Sequence, residues 1–372
     1  MHVVHVLSGD LWGGAETQVH TLVRALRSTD EVAVSVLLFN DGLTAQRLRE
    51  SGVAVHILDE SKHGLVALVW GLTRWLRRMQ PDVLHSHGYK ECVIGTIAAW
   101  LAGGIPCVRT VHGWIESHPR LWQVKKRLGR FAERIVLRGQ RAVVAVSSEL
   151  GDRLLRYAKQ NNIIVILNGV DVGAIEVAAG IPPKISQSAW RIGIVGRIVP
   201  VKRVDIFVEV CRLLRDEFGD KFRAVIVGDG PGMDDIRSKI HGLNLEDHVE
   251  MLGFVANVPQ VMVNLNALLI TSDHEGLPMT LLEAMVLKIP VVAHAVGGIS
   301  AALERGECGW LVHDHNARSY YTTLRQALID TVETKQRADR AYARAKKLFS
   351  SSQASQRYWR EHARRAVGAA AP

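Results

Sequence analysis

The stretch A-L-L-I-T-S-D-H-E-G-L-P-M-T-L-L-E-A-M, Ala267 to Met285, decides how the chain folds. It opens with a short apolar run, Ala267–Thr271, of the length and composition of a buried strand. A polar segment with Gly276 and Pro278 follows, and an apolar stretch of helical period begins near Met279. A strand, a loop and a helix in immediate succession form half of a βαβ unit. Working outward, the same alternation recurs along the chain. In the first half the predicted strands are Val3–Leu7, Val34–Phe39, Val53–Leu58, Val83–His87, Cys107–His112, Val143–Ser147 and Ile163–Leu167. In the second they are Arg191–Val195, Phe222–Val227, Val249–Leu252, Ala267–Thr271 and Val291–Ala293. Val- and Ile-rich runs that do not alternate with polar residues are covered on both faces, so both halves read as doubly wound parallel sheets of an α/β protein.

At 372 residues the chain exceeds what one core supports, and two domains are expected. Gly173–Ala189, with Gly180, Pro182 and Pro183 and no clear period, is the linker candidate. This gives an N-terminal domain over 1–172, a linker over 173–189, a C-terminal domain over 190–350 and a final segment, 351–372. The region from Thr334 to Ala366 is helical and basic, and Ser350-Ser351-Ser352 divides it into two helices.

Hydrophobic residues make up 48% and charged residues 22%, ordinary values for a globular protein. Cys92, Cys107, Cys211 and Cys308 are too scattered for a metal-ligand spacing or a disulfide framework, so reduced, buried thiols are expected. The start, M-H-V-V-H-V-L-S-G, has no basic n-region and does not read as a signal peptide; a cytoplasmic address is expected. Segments 64–76 and 93–108 are apolar but shorter than a membrane span. The net charge of +9 is uneven: residues 1–172 carry +6, residues 337–372 carry +7 and the remainder −4. Basic ends suit an acidic partner, and an anionic membrane surface is one. Trp122–Phe131 and Leu72–Met79 mix Arg or Lys with Trp, Phe and Leu as interfacial helices do, although an ordinary packed helix with a solvated basic face has the same pattern. No groove-reading motif or aromatic platform points to nucleic acid.

Ligands of open parallel sheets bind beyond the carboxyl ends of the strands. Four segments there carry chemistry. In His274-Glu275-Gly276-Leu277-Pro278-Met279-Thr280-Leu281-Leu282-Glu283, the first glutamate lies in a loop and the second on a helix whose open N-terminus lies between them. That helix start favours phosphate, and carboxylates on either side suit hydroxyl groups. A ligand with a diphosphate in its middle and polyols flanking it fits, and a nucleotide sugar has that form. Second, Arg197 and Lys202 follow the strand Arg191–Val195 and can converge on the diphosphate. Third, Gly13 and Gly14 let the backbone approach a ligand ahead of a helix with Val19, Leu22, Val23 and Leu26 on its apolar face. Fourth, His112, with Gly113 behind it, is a polar candidate for touching the transferred sugar, or else a satisfied core histidine. His85 and His87 share one strand face without a third ligand at a recognisable spacing, so no metal is expected. Gly228-Asp229-Gly230-Pro231-Gly232 reads as a turn shaping the pocket wall, and Asn168-Gly169-Val170-Asp171 as a structural turn.

The ordered set G-G-A-E-T, H-S-H-G, T-V-H-G, N-G-V-D, V-G-R-I-V-P-V-K, V-G-D-G-P and H-E-G-L-P-M-T-L-L-E-A-M resembles the retaining glycosyltransferases of family 4, over essentially the whole chain. The resemblance implies the GT-B fold, two Rossmann-like domains facing each other across a deep cleft, with the final helix crossing back onto the first domain. It implies metal-independent retaining transfer with no cofactor, from a nucleotide-sugar donor to a glycan or lipid-linked acceptor, as in bacterial cell-surface polysaccharide synthesis. By that resemblance Arg197 and Lys202 hold the diphosphate, Glu275 the donor sugar and Glu283 the ribose. The backbone of Gly276, Leu277, Pro278, Met279, Thr280, Leu281 and Leu282 meets sugar and phosphate, Phe254 and Val255 meet the base, and Gly13, Gly14 and His112 are the first domain's contribution. A phosphorylase, a nucleotide-sugar epimerase or a non-catalytic sugar-nucleotide binding module would share much of this pocket.

Overall fold

A computed structural model describes residues 1–10, 12–29, 31–113, 135–180 and 189–366. The chain divides into two compact units, Met1–Gly169 with Ser351–Pro372, and Val170–Ser350.

The first unit holds seven parallel strands among the described residues, β1 (His2–Leu7), β2 (Ala33–Leu38), β3 (Ala54–Ile57), β4 (Val83–Ser86), β5 (Cys107–Val111), β6 (Ala142–Ala145) and β7 (Ile163–Val165). Their order is β3-β2-β1-β4-β5-β6-β7. Both faces are covered, as the strand composition requires. Val3 and Leu7 of β1 join one hydrophobic core, and Val4 and Val6 join the other. Full burial of a Val or Leu side chain stabilises by about 1.5–3 kcal/mol, so a strand buried on both sides holds firmly. The helix Gly14–Arg27 buries Val19, Leu22, Val23 and Leu26, the stripe expected of it.

The second unit holds β8 (Trp190–Val195), β9 (Phe222–Val227), β10 (Val249–Gly253), β11 (Ala267–Ile270), β12 (Val291–His294) and β13 (Trp310–Val312), ordered β10-β9-β8-β11-β12-β13 and all parallel. In each sheet the order reverses beside the first strand: between β1 and β4, and between β8 and β11. The connections leave these neighbouring strands in opposite directions, which opens a crevice at their carboxyl ends.

Two elements differ from the sequence expectation. β13 has only three residues, too few for a periodic signal. Residues 173–179 are not linker but most of the helix Val172–Ala179, started by Asp171, whose side chain accepts from the Ala174 N–H at 3.0 Å. The basic helical region breaks at Ser350, where the sequence placed the division, and its two helices belong to different units. Thr331–Leu348 lies in the second unit, whereas Ser351–Ala366 belongs to the first, with Tyr358 fully buried beside Val3 and Val19. The four cysteines are buried and none is in a disulfide. Among the described residues no helix is long and apolar enough to cross a membrane.

Candidate active site

The β8–β11 reversal places two loops side by side. The loop after β8 runs through Gly196 and Arg197 into a short turn, Pro200–Lys202, and Arg203 adopts left-handed geometry (φ 49°, ψ 45°) before the helix Val204–Phe218. The loop after β11 runs from Thr271 to Pro278, where the helix Met279–Val286 begins. Main chain stitches them together. The Asp273 N–H donates to the Val201 carbonyl at 2.8 Å, and the Thr271 hydroxyl donates to the carbonyls of Lys202 and Arg203 at 2.8 and 3.0 Å.

The Lys202 ammonium thereby meets the Glu275 carboxylate, Nζ to Oε1 2.6 Å, and the Ser272 hydroxyl donates to the same Oε1 at 2.6 Å. Gly196, Arg197, Lys202, Ser272, Glu275 and Thr280 line one pocket. Glu275 is nearly buried there, its side chain 10% exposed. A charge-assisted contact in such a place is strong and fixes both side chains. Arg197 is exposed, and among the described residues its guanidinium has no partner. No side chain caps the helix at Pro278, so its first-turn N–H groups remain open beside the pocket. Leu277, Met279, Leu281 and Leu282 bury their side chains in the core. They anchor the segment and leave its main chain and Thr280 to a ligand.

Glycines set the close approaches. Gly297, at φ +56°, lies against this loop: a Cβ there would fall 1.8 Å from the Glu275 carbonyl oxygen, and the next N–H, of Gly298, donates to the Gly276 carbonyl at 2.6 Å. Gly228, at φ +135°, leaves no room for a Cβ beside the Gly196 carbonyl oxygen, 1.9 Å away. The Gly228–Gly232 segment also braces the Arg197 loop, since the Ile198 N–H donates to Asp229 O and the Gly232 N–H to Ile198 O, at 2.9 and 3.0 Å. Behind the pocket, His294 Nδ1 donates to Ser272 O at 2.8 Å and His315 Nε2 to Thr271 O at 3.0 Å. Arg203 bridges Asp205 and Asp273 at 3.0 and 3.2 Å. Sequence inspection missed Thr271, Ser272, Gly297 and this histidine support. Ser272, one short loop ahead of Glu275, was the only one with a local signal.

Glu283 lies on the helix and does not line the pocket that holds Glu275. It is half-buried, and desolvation pushes its carboxyl up to about 7. The folded chain therefore keeps this proton to a higher pH than the unfolded chain. Stability is lost as pH rises from the ordinary carboxyl value of 4.5 through about 7, by roughly 3 kcal/mol. Glu283→Gln is expected to flatten this dependence, seen as a smaller fall in Tm between pH 5 and pH 8 than in the parent.

Phe254 and Val255 follow β10, the edge strand, and Phe254 is exposed; the Gly228 N–H donates to the Gly253 carbonyl at 2.8 Å, which draws this loop toward the Gly228 turn. In the first unit Gly13 caps the helix Gly14–Arg27, but its N–H already donates to Glu16 Oε2 at 3.1 Å. Glu16, three residues on, thus closes a capping contact at that helix start. His112, half-buried beyond β5, contacts His87, Nε2 to Nδ1 3.1 Å. The expectation that His85 and His87 lack a third imidazole needs correction: His5, on the adjacent strand β1, brings a nitrogen within 4.8 Å of theirs. Strand pairing supplies what sequence spacing cannot.

Two Rossmann-like doubly wound sheets in one chain, with a cationic, carboxylate-bearing pocket at the strand reversal of the second, define a two-domain α/β enzyme of GT-B type. The family model "Glycosyl transferases group 1" matches residues 182–347, and "Glycosyltransferase Family 4" matches residues 12–174. The chain belongs to the GT4-type glycosyltransferases of GT-B fold. It is 27% identical, over 70% of each chain, to the UDP-Gal:alpha-D-GlcNAc-diphosphoundecaprenol alpha-1,3-galactosyltransferase of Escherichia coli. It is 28% identical to the D-inositol 3-phosphate glycosyltransferase of Pseudarthrobacter chlorophenolicus, covering 90% of this chain and 86% of that one. Among solved structures, Anabaena Alr3699/HepE in complex with UDP-glucose superposes with a TM-score of 0.83 at 23% identity, covering 97% of this chain and 98% of that one.

Proposed function

We propose that this glycosyltransferase moves a sugar from a nucleoside diphosphate sugar to a glycan or lipid-linked acceptor, with retention at the anomeric carbon and without a metal, in bacterial cell-surface polysaccharide synthesis. The observation that carries the proposal is the meeting of Lys202, Glu275 and Ser272 in one pocket with Arg197 and an uncapped helix start. Arg197 and Lys202 neutralise the diphosphate, the first-turn N–H groups bind its oxygens, and Glu275 accepts hydrogen bonds from sugar hydroxyls. The bond from the anomeric carbon to phosphate breaks as the acceptor oxygen bonds to that carbon on the same face. The acceptor's proton passes to the departing phosphate oxygen, so no protein nucleophile is needed. The work left to the protein is positioning and charge stabilisation. His112, Gly13 and Gly14 are proposed as the first unit's contribution, and Phe254 as the stacking surface for the base. Names of relatives support the substrate classes: one acts on a diphosphoundecaprenol-linked sugar, and HepE is seen with UDP-glucose.

A thermal-shift screen of nucleoside diphosphates and their sugars tests donor binding, because a ligand of the folded state raises Tm by mass action. Product anomeric configuration, read by NMR, then decides retention. Turnover that requires inorganic phosphate, or donor epimerised without acceptor, would replace this proposal with the phosphorylase or epimerase reading.

An anionic membrane is the proposed surface partner. Trp122–Phe131 lies outside the described residues. In Leu72–Met79 the arginines Arg74, Arg77 and Arg78 are exposed, but Leu72 and Leu76 are core and Trp75 stacks on His56. The exposed apolar groups lie elsewhere, at Leu65, Val66 and Trp70 (59% exposed) of the same helix, Leu65–Met79, and at Trp100 (75%) of the helix Tyr89–Leu101 packed beside it. Each arginine near an anionic surface contributes about 1 kcal/mol. Charge reversal of Arg74, Arg77 and Arg78 together is expected to weaken sedimentation with anionic vesicles more than tenfold, with transfer to a soluble acceptor unchanged.

A further inference from the structure

Beneath His112 the first unit buries an unusual set of imidazoles. His5 from β1, His85 and His87 from the end of β4, and His362 from the helix Ser351–Ala366 pack together, and all are buried. His5 Nδ1 lies 2.8 Å from His87 Nε2, and His87 Nδ1 lies 3.1 Å from His112 Nε2. The ring centres are 5.1 and 5.4 Å apart, with interplanar angles of 16° and 29°. Centre separations so much longer than the N···N contacts mean that the nitrogens sit between the centres. The rings are joined end to end, each nitrogen aimed at the next nitrogen. Ligands of one tetrahedral ion would instead aim their lone pairs at a shared point about 2.0–2.1 Å from each.

Proton counting then constrains the chain. Three neutral imidazoles carry three N–H protons, and the two contacts use one each. The third proton is at one end, on His5 Nε2 or on His112 Nδ1, and both atoms lack a hydrogen-bond partner among the described residues. Both atoms are buried, but His5 is wholly enclosed, whereas the His112 residue is half-exposed beside Gly113 at the carboxyl end of β5, so only the His112 end can be offered a partner by a bound ligand. An orphaned N–H in a dry core is worse than an orphaned lone pair. The lone pair therefore belongs at His5 Nε2, which sets the direction of both hydrogen bonds.

We propose that His5 and His87 are positioning residues whose hydrogen-bonded chain fixes His112 as the Nδ1–H tautomer, a neutral donor to a ligand oxygen. The role of the donor rests on the assignment of His112 to the ligand site made above; the tautomer does not. Neutrality follows from the surroundings. The groups facing the chain are Arg109 from β5, His85, His362, and Tyr358 and Thr110, which close the far side through His85. Burial first, then Arg109, lowers His112 to about 3, and His5 and His87 are held well below the ordinary histidine value by burial and by one another's neighbours. In water a neutral histidine favours Nε2–H, so three successive Nδ1–H rings are a signature that ordinary packing does not produce.

Histidine-selective 15N labelling of the full chain, without donor or acceptor, reads the tautomer of each ring from its nitrogen shifts. Nδ1–H at His5, His87 and His112 is expected, and Nε2–H at His112 would overturn the proposal. Loss of the chain's signals on one equivalent of Zn2+, with stoichiometric uptake, would likewise overturn it in favour of a metal site. His87→Leu severs the chain and is expected to let the His112 Nε2–H form appear and to lower kcat about tenfold with little change in donor KM. His87→Gln, whose amide can accept from His5 and donate to His112, is expected to restore the tautomer and kcat to within about threefold. A glutamine variant no better than leucine in both readouts would refute the relay of orientation. Because the spectra need no substrate, they are independent of whether the chain transfers sugar, and the parent spectrum decides the matter even if a variant fails to fold.

Discussion

Glu275→Ala is expected to leave the chain folded and to lower turnover by about 10²–10³-fold, the loss typical of removing a preorganised electrostatic group. The side chain is nearly buried and accepts from both Lys202 and Ser272 at 2.6 Å. Its removal takes away the proposed acceptor for sugar hydroxyls and also releases the Lys202 ammonium from its fixed position. Fold integrity is expected because the backbone of this loop is held independently, by Asp273 N–H to Val201 O and Gly298 N–H to Gly276 O. Circular dichroism and steady-state transfer assays check the two halves. Glu275→Gln should recover hydroxyl contacts but not the charge, and is expected between the parent and alanine. Alanine turnover equal to the parent's would remove Glu275 from the site.

Gly297→Ala is expected to be nearly as damaging to catalysis although no substrate contact is assigned to Gly297. Its added Cβ would come within 1.8 Å of the Glu275 carbonyl oxygen, at a left-handed φ of +56° that alanine adopts poorly. Either the loop carrying Glu275 moves or the Gly297–Gly298 turn does, and the 2.6 Å bond from Gly298 to Gly276 is lost in both cases. A displacement of about 1 Å at a positioned group is enough for a 10²-fold loss of rate, with a stability cost of about 1–3 kcal/mol. Gly242→Ala, where an added Cβ meets nothing within 4 Å, is the control and should behave as the parent. Equal activity in the two variants would show that the Glu275 loop tolerates a Cβ at Gly297.

The charged residues of the pocket, Arg197, Lys202 and Glu275, were legible because each follows a strand that its own sequence announces. Ala267–Ile270 and Trp190–Val195 are continuous apolar runs, and the glycine and proline that follow mark loops whatever the partners are. Which of Glu275 and Glu283 lines this pocket was not legible. The helix start lies between them, but the helix turns Thr280 toward the pocket and leaves Glu283 outside its lining. The basic amphipathic pattern at Leu72–Met79 left two readings open, an interfacial helix and a packed helix with a solvated basic face. Helical period identifies an apolar stripe without saying whether it faces core or solvent, and here Leu72 and Leu76 face the core.

Local sequence determined the strands, most helix starts and the class of side chain at each strand end, because backbone hydrogen bonding and apolar burial act over a few residues. Strand order was decided by tertiary structure alone, and from it came the convergence of Lys202, Ser272 and Glu275, the fit of Gly297 under the Glu275 loop and the joining of His5, His87 and His112. Most of these groups come from separate segments of the chain. Lys202 meets Glu275 across the β8–β11 reversal and His5 meets His87 across the β1–β4 reversal, while Gly297 and His112 join from just beyond the neighbouring strands β12 and β5; no periodicity within a single segment records which strand will be its neighbour.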